Sequence, residues 1–223
     1  LELSITPKHY VPRYEELRKI VEDTEGPLTV QECICRKAMG LIDRPCKKTS
    51  RTETCIGLGN GEFRDMTKLY INQGWGREIT REECLEILHK NEEDGLVLQA
   101  GNTERPGFIC SCCGCCCGVL MGFNLMPTPV DFVSSNYQAE VDPDLCAGCK
   151  TWVGRCQMNA VKVVDDVAKV NLRRCIGCGL CVPTCEAKAM RLVKKDKQVA
   201  PPKTWGDLLS KIMNKKIEMR GKI

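Results

Sequence analysis

The sequence of 223 residues is poor in aromatic residues and histidine, and it contains no long apolar run. Because spanning a bilayer takes roughly 20 consecutive apolar residues, we expect no transmembrane segment. Leu1 to Tyr10 has no apolar run behind a basic start, which predicts that no signal peptide is present. The chain begins without Met, so we expect the natural N-terminus to lie further upstream. Together these absences predict a cytoplasmic protein.

The motifs of common catalytic sites are also missing. His9 and His89 are isolated from each other and are typical of surface histidines. The segment from Gly57 to Gly61 lacks the spacing of a dinucleotide-binding loop, and we find no phosphate loop or paired nucleophile and base. Basic residues near the C-terminus could contact nucleic acid, but aromatic stacking residues and a reading helix are absent. We therefore predict no catalytic residues, a chain that is not catalytic alone, and no nucleic-acid binding by this chain alone.

Cysteine, by contrast, is abundant, with 18 residues in the chain. So many cysteines indicate either disulfides in an oxidising compartment or thiolate metal ligands in a reducing one. Six of them lie within the eight residues Cys110 to Cys117, too close for each to form a disulfide of good geometry within its own segment. Since no export signal is recognised, metal ligation is favoured.

The C-terminal third contains an internal repeat with an offset of 29 residues. The repeat pairs Cys146 with Cys175, Cys149 with Cys178, and Cys156 with Cys185. Three thiolates spaced two residues apart on a tight loop, as in the second copy, can surround one face of an iron–sulfur cube. A zinc ribbon made of C-x2-C pairs would leave Cys156, Cys181 and Cys185 without a role. The repeat therefore predicts iron–sulfur clusters.

The segment from about Tyr137 to Lys195 resembles the bacterial two-cluster [4Fe-4S] ferredoxins. In that family the fourth cysteine of each run ligates the other cluster. The resemblance implies a complete ligand set of Cys156, Cys175, Cys178 and Cys181, and an incomplete set of Cys146, Cys149 and Cys185.

Trp152 occupies the position where the incomplete set should have its remaining ligand, because it aligns with Cys181. Indole cannot ligate iron. Three outcomes are open: a [3Fe-4S] cluster, a [4Fe-4S] cluster whose open iron takes an outside ligand, or no cluster, with Trp152 shielding an abandoned site. We favour an occupied site, since an empty one would leave three reactive thiols beside a redox centre.

Eleven cysteines lie upstream of this region, in two groups with Cys84 alone between them. The N-terminal group consists of Cys33, Cys35, Cys46 and Cys55. Four thiols suit one tetrahedral Zn or one cubane, and their spacing does not separate these alternatives. Basic residues between the outer cysteines would offset an anionic cluster or form a partner-docking face, unless they are simply a solvated loop. The candidate docking residues are Lys47, Lys48 and Arg51.

The second group extends from Cys110 to Cys117 and contains the register C-x2-C-x2-C. We expect this register, made of Cys110, Cys113 and Cys116, to supply three ligands to a further cluster. The fourth thiolate would come from Cys112, Cys115, Cys117 or the N-terminal group. The remaining cysteines could pack as small apolar side chains.

The segment from Ile109 to Asn124, with the Glu32 to Lys37 segment before it, resembles a group of iron–sulfur proteins from anaerobic bacteria and archaea. The resemblance covers nearly the whole chain. It implies an electron carrier or an electron-transfer subunit of an oxidoreductase complex, and it names no substrate.

The intervening segments predict an α+β fold in three parts. Residues 1–130 should form a cysteine-rich helical domain with additional cluster sites, 131–199 the two-cluster ferredoxin domain, and 200–223 a tail helix. Apolar periodicity predicts helices over 12–21 and 204–215, and Thr80 begins a capping box before a third helix that ends near Gly95. Short strands are predicted at 96–99, 138–141, 161–164, 167–170 and 190–193.

These observations favour a protein that relays single electrons between redox proteins in anaerobic metabolism. We expect [4Fe-4S] clusters at two or more sites, with [3Fe-4S] as an option at the Trp152 site and Zn not excluded at the N-terminal group. The alternative is an iron–sulfur or zinc-dependent redox or metal sensor with a DNA-binding domain upstream.

Overall fold

A seven-stranded sheet organises the upstream part of the chain in the computed structural model, which describes residues 9–220. Its strands are β1 (His9–Tyr10), β2 (Leu28–Glu32), β3 (Glu53–Leu58), β4 (Arg77–Ile79), β5 (Val97–Ala100), β6 (Phe108–Cys112) and β7 (Val133–Ser134). They lie in the order β4-β2-β3-β6-β5-β1-β7. Neighbouring strands are antiparallel except β1 and β7, which are parallel.

In the described part of the chain, six α-helices surround or follow this sheet. They are α1 (Tyr14–Glu22), α2 (Ile34–Leu41), α3 (Arg64–Asn72), α4 (Arg81–Glu93), α5 (Gly118–Leu125) and α6 (Trp205–Arg220). Leu17 of α1 and Leu88 of α4 are fully buried in one apolar cluster with Val30, Ile56 and Ile109 of the sheet. This cluster packs α1 and α4 against the sheet, in which β6 leads directly into the cysteine run.

Both helices that were predicted upstream of the repeat are present in the structure. The expected helix over 12–21 is α1, and Thr80 caps α4 by accepting a hydrogen bond from the Glu83 N–H at 3.1 Å. Gly95 follows the helix with a φ of 75° and donates its N–H to the Glu92 carbonyl.

The sheet itself was largely unexpected, since only β5 was predicted among its strands. β3, which was not predicted, is buried at four of its six positions and so lacks the regular apolar–polar alternation that marks a half-buried strand.

Two further strand pairs hold the downstream repeat. β8 (Tyr137–Val141) pairs antiparallel with β11 (Met190–Lys194), and β9 (Val161–Val164) pairs antiparallel with β10 (Val167–Val170). All four strands were predicted to within one residue. Each pair takes one strand from each copy of the 29-residue repeat, so the two copies interlock.

The tail helix α6 starts against the upstream sheet region. The Trp205 N–H donates to a carboxylate oxygen of Glu62 at 2.7 Å, and the Trp205 ring meets Phe63 edge-on at 6.4 Å. The helix was predicted to end near residue 215 and continues to Arg220. Within residues 9–220 we find no helix that is both long and apolar enough to cross a membrane.

One apolar cluster joins residues on both sides of position 130. Leu120 and Phe123 of α5 belong to it together with Met158, Ile176 and Leu180 of the repeat. The division into parts at 130 and 199 stays a prediction.

Candidate metal centres

Four cysteines of the repeat line one cavity: Cys156, Cys175, Cys178 and Cys181. Burial, and then the proximity of Cys181, Cys156 and Cys175, raise the pKa of Cys178. Burial and the neighbouring Cys175 and Cys156 likewise raise the pKa of Cys181 to about 12. These thiols can ionise together only beside a cation, which a metal centre supplies. The donor set therefore fits a four-cysteine iron–sulfur cluster.

Backbone N–H groups point at the cysteine sulfurs in both copies of the repeat. The hydrogen bonds run from Ala139 N to Cys175 Sγ (3.4 Å), Ala168 N to Cys146 Sγ (3.3 Å), Ala160 N to Cys156 Sγ (3.2 Å) and Met190 N to Cys185 Sγ (3.3 Å). Ala139 and Ala168 are 29 residues apart, as are their two cysteines. Such bonds stabilise a thiolate ligand and help to set the potential of a bound cluster.

The cluster loops need glycine at one equivalent position in each copy. Gly148 has a φ of 61° and Gly177 a φ of 70°. A Cβ on Gly177 would lie 2.3 Å from the Tyr137 carbonyl oxygen, and one on Gly148 would lie 2.4 Å from that of Asp166. No larger side chain fits without displacing the neighbouring backbone.

Trp152 lies in the core, in a 3₁₀ turn over Thr151–Gly154, and is 7% exposed. Its carbonyl accepts hydrogen bonds from the Arg155 and Cys156 N–H groups at 2.9 Å each. The indole takes the place that Cys181 has in the second copy. Of the three cysteines in the incomplete set, Cys146 and Cys185 are half-buried, whereas Cys149 is exposed.

Upstream, Cys46 lies with three cysteines of the second group: Cys113, Cys115 and Cys116. The sulfur atoms of these four residues, which we call the Cys46 group, lie within 4.8 Å of one another. Burial opposes ionisation of Cys46. Hydrogen bonds from the Lys48 and Thr49 backbone and from the Cys113 and Cys116 thiols nevertheless lower the pKa of Cys46 to about 7.

Six other upstream cysteines line a second cavity of about 270 Å³: Cys33, Cys35, Cys55, Cys110, Cys112 and Cys117. We call it the six-cysteine pocket. Cys113 and Cys116 also border it, so it adjoins the Cys46 group. Hydrogen bonds from Cys112 lower the pKa of Cys110 to about 5 and that of Cys117 to about 6, against the effect of burial. The pKa values of the other four lining cysteines are raised, by hydrogen bonds from neighbouring thiols at Cys33, Cys55 and Cys112 and by burial at Cys35.

Helix N-termini and one buried cation face this pocket. Cys33 is the N-cap of α2 and Cys117 is the N-cap of α5, and both helices present the positive ends of their dipoles there. Arg36, which is 5% exposed, lines the pocket and donates to Thr54 and to the Ser111 carbonyl. Among residues 9–220, its Nε finds no hydrogen-bond partner. A buried cation among thiols fits an anionic cluster.

The structure therefore divides the upstream cysteines differently from their order in the sequence. Cys46 lies away from the rest of the N-terminal group, and the register Cys110, Cys113 and Cys116 is shared between the two sites. The sequence contained one signal for this division. Cys110 and Cys112 are two residues apart on β6 and therefore lie on the same face of that strand. Cys84 joins neither site, since it is fully buried in the apolar cluster under the sheet, where burial raises the pKa of Cys84 to about 12.

The three candidate docking residues are placed in different surroundings. Lys47 is exposed. Lys48 donates from Nζ to the Gly154 carbonyl, and Arg51 forms an ion pair with Asp94 at 2.6 Å. Two of the three positive charges thus have partners within the chain.

Comparison with known proteins identifies one part of this chain. A family model described as a 4Fe-4S binding domain matches residues 168–191, which include the second cysteine run. No curated protein matches the chain. The chain therefore carries a 4Fe-4S binding domain, whose general role is iron–sulfur electron transfer.

Proposed function

We propose that this protein relays single electrons between redox partners through several iron–sulfur clusters, as an electron carrier or as a subunit of an oxidoreductase complex. The observation that carries this proposal is the convergence of Cys156, Cys175, Cys178 and Cys181 on one cavity inside the matched domain. A bound [4Fe-4S] cluster supplies a centre that gains and loses one electron. The chain's own groups hold the cluster, shield it and set its potential.

The two-cluster arrangement of the ferredoxins is part of the proposal. Cys156 belongs to the first copy of the repeat but lines the cavity with three cysteines of the second copy. By the same crossing, Cys185 would join Cys146 and Cys149 at the other site. The N–H groups aimed at Cys146 and Cys185 support an occupied site there.

A third cluster in the six-cysteine pocket would extend the relay upstream. Gln157, directly after Cys156, connects the two regions. Its side-chain oxygen accepts from the Gly114 N–H at 2.9 Å, and its amide donates to the Gly95 carbonyl at 2.8 Å. Gly114 lies inside the cysteine run, so a short bonded path links the ferredoxin cavity to the upstream sites.

The expected partners are redox proteins of anaerobic metabolism in the cytoplasm. Lys47 is exposed near the Cys46 group and is the docking candidate whose charge is most available to an acidic partner. The relay needs no catalytic residue of its own.

Cys178→Ala tests the assignment at the complete site. In protein purified without oxygen, the variant should lose one [4Fe-4S] EPR signal on reduction, because the cluster loses one of its four thiolates. Iron and acid-labile sulfide per chain should fall together. Cys84→Ala is the matched control, since it removes a buried thiol that lies outside every site. Unchanged iron and an unchanged EPR spectrum in Cys178→Ala would contradict the proposal.

A further inference from the structure

Four of the six sulfur–sulfur distances in the Cys46 group lie between 3.5 and 3.8 Å. Cys46 Sγ lies 3.6 Å from Cys113 Sγ and 3.8 Å from Cys115 Sγ. Cys115 Sγ lies 3.5 Å from Cys113 Sγ and 3.7 Å from Cys116 Sγ. The remaining two separations are below 4.8 Å. All four sulfurs therefore surround one small central volume.

A single tetrahedral ion explains these distances. Four Zn–S bonds of about 2.3 Å make a tetrahedron with edges of about 3.8 Å. The four separations of 3.5–3.8 Å agree with this length, and the other two lie below 4.8 Å. Disulfides do not explain them, because a sulfur–sulfur bond is only about 2.05 Å long. A cubane fits poorly, since its four irons stand between the thiolates and hold them further apart than a single ion does.

We propose that the Cys46 group binds one Zn²⁺ ion and that this ion is structural. Tetrahedral four-sulfur sites hold either zinc or iron, and Zn²⁺ binds more tightly than Fe²⁺ in the order of divalent-metal affinities. Four protein ligands leave no open coordination position, which is characteristic of structural rather than catalytic zinc. The Lys48 N–H, 3.4 Å from Cys46 Sγ, offsets part of the negative charge of four thiolates.

The ion would fix a long connection to the sheet. Cys46 lies between α2 and β3, a stretch with no regular secondary structure from 42 to 52, whereas the other three ligands follow β6 directly. Within the same short run, Cys112 and Cys117 flank the zinc ligands and line the six-cysteine pocket. The zinc ion would therefore hold Cys112 and Cys117 of the six-cysteine pocket in position, and the ion itself would not exchange electrons.

The test is the metal content of the full chain purified without oxygen, measured as zinc, iron and acid-labile sulfide. The wild type should contain about one zinc per chain, as expected for one four-cysteine site. Cys46→Ala should lose this zinc while keeping most of its iron and sulfide, and Cys84→Ala should keep all three. Absence of zinc from the wild type, or a loss of iron from Cys46→Ala in place of zinc, would overturn the proposal.

A second measurement applies if Cys46→Ala does not accumulate as folded protein. Wild-type protein produced with Co²⁺ in place of Zn²⁺ should show the absorption of cobalt bound tetrahedrally by thiolates, and added Zn²⁺ should abolish that absorption. No such absorption in cobalt-loaded protein would overturn the proposal. The result is independent of the electron-transfer proposal, which the iron and EPR of Cys178→Ala test separately.

Discussion

At the scale of single residues, Trp152 is the position at which the repeat departs from its own pattern. Its indole is buried at the position where the second copy has Cys181, while the sulfurs of Cys146 and Cys185 still receive backbone hydrogen bonds. A cluster with three cysteine ligands and three irons satisfies both observations, because it needs no thiolate at position 152.

Trp152→Cys should convert this centre to an ordinary [4Fe-4S] cluster. Because [3Fe-4S] and [4Fe-4S] clusters contain the same number of sulfides, we expect about one more iron per chain and unchanged acid-labile sulfide. The EPR signal of the oxidised protein should disappear. Iron and sulfide analysis together with EPR, before and after substitution, measures this change.

Trp152→Ser is the control for that experiment, since it opens the same space in the core without supplying a thiolate. It should not gain iron. A gain of about four irons and four sulfides in Trp152→Cys would show instead that the wild-type site holds no cluster.

At the scale of structural elements, the cluster loops depend on tight turns held by interlocked strand pairs. Gly177 lies at a positive φ against the Tyr137 backbone, at the start of β8, and β8 pairs with β11 from the other copy. The loop is therefore positioned by a strand from each copy, and one added methyl group is enough to displace it.

Gly177→Ala should destabilise the domain and reduce its iron content. The left-handed backbone costs a non-glycine residue about 1–2 kcal/mol, and displacement of the Tyr137 carbonyl adds to this cost. We expect a lower thermal unfolding midpoint and a partial loss of iron, measured without oxygen.

Gly122→Ala provides the comparison for this substitution. Gly122 lies within α5, and apart from the helix's own backbone no atom of residues 9–220 lies within 4 Å of the place that a Cβ would occupy. Alanine there should be neutral or stabilise the helix by up to about 1 kcal/mol. Equal midpoints and equal iron in the two variants would show that the Gly177 turn tolerates a side chain.

At the scale of the whole molecule, polar side chains beside the cysteines of the repeat join the repeat to the upstream sheet. Arg155 donates to the carbonyls of Glu92, Glu93 and Leu180, which connects the end of α4 to the second cluster loop. Gln157 is 7% exposed and holds Gly114. The upstream cysteine sites and the four-cysteine cavity of the repeat therefore share one supporting network.

Gln157→Leu should weaken this network at its centre. The substitution leaves the half-buried Gly114 N–H and the buried Gly95 carbonyl without their partner, and an unpaired group that is fully buried costs about 1–3 kcal/mol. We expect the free energy of unfolding to fall by about 2–4 kcal/mol, as measured by anaerobic denaturation.

Gln73→Leu is the matched surface substitution. Gln73 is exposed, so its replacement should change the free energy of unfolding by no more than about 0.5 kcal/mol. If the two variants have equal free energies of unfolding, the Gln157 hydrogen bonds do not stabilise the contact between the two regions.

The sequence by itself determined the features that are encoded locally. Apolar runs and apolar–polar alternation predicted all four strands around the cysteine loops, and the 29-residue repeat predicted iron–sulfur ligands in those loops, because each signal lies within one short segment of the chain. The capping box at Thr80 and the apolar stripe of α1 are equally local signals. The 4Fe-4S binding domain could therefore be recognised before any contact between distant segments was known.

Only the tertiary structure decided how the upstream cysteines are grouped. Cys55 meets Cys110 because β3 and β6 pair with Ile56 opposite Ile109. The loop between α2 and β3 brings the Cys46 sulfur to 3.6 Å from that of Cys113. Spacing along the chain does not record strand register across 50 or more residues, and β2, β3 and β6 were not predicted from their sequences. A ligand set assembled across a sheet is fixed by strand pairing, and that pairing arises from the burial of a shared core.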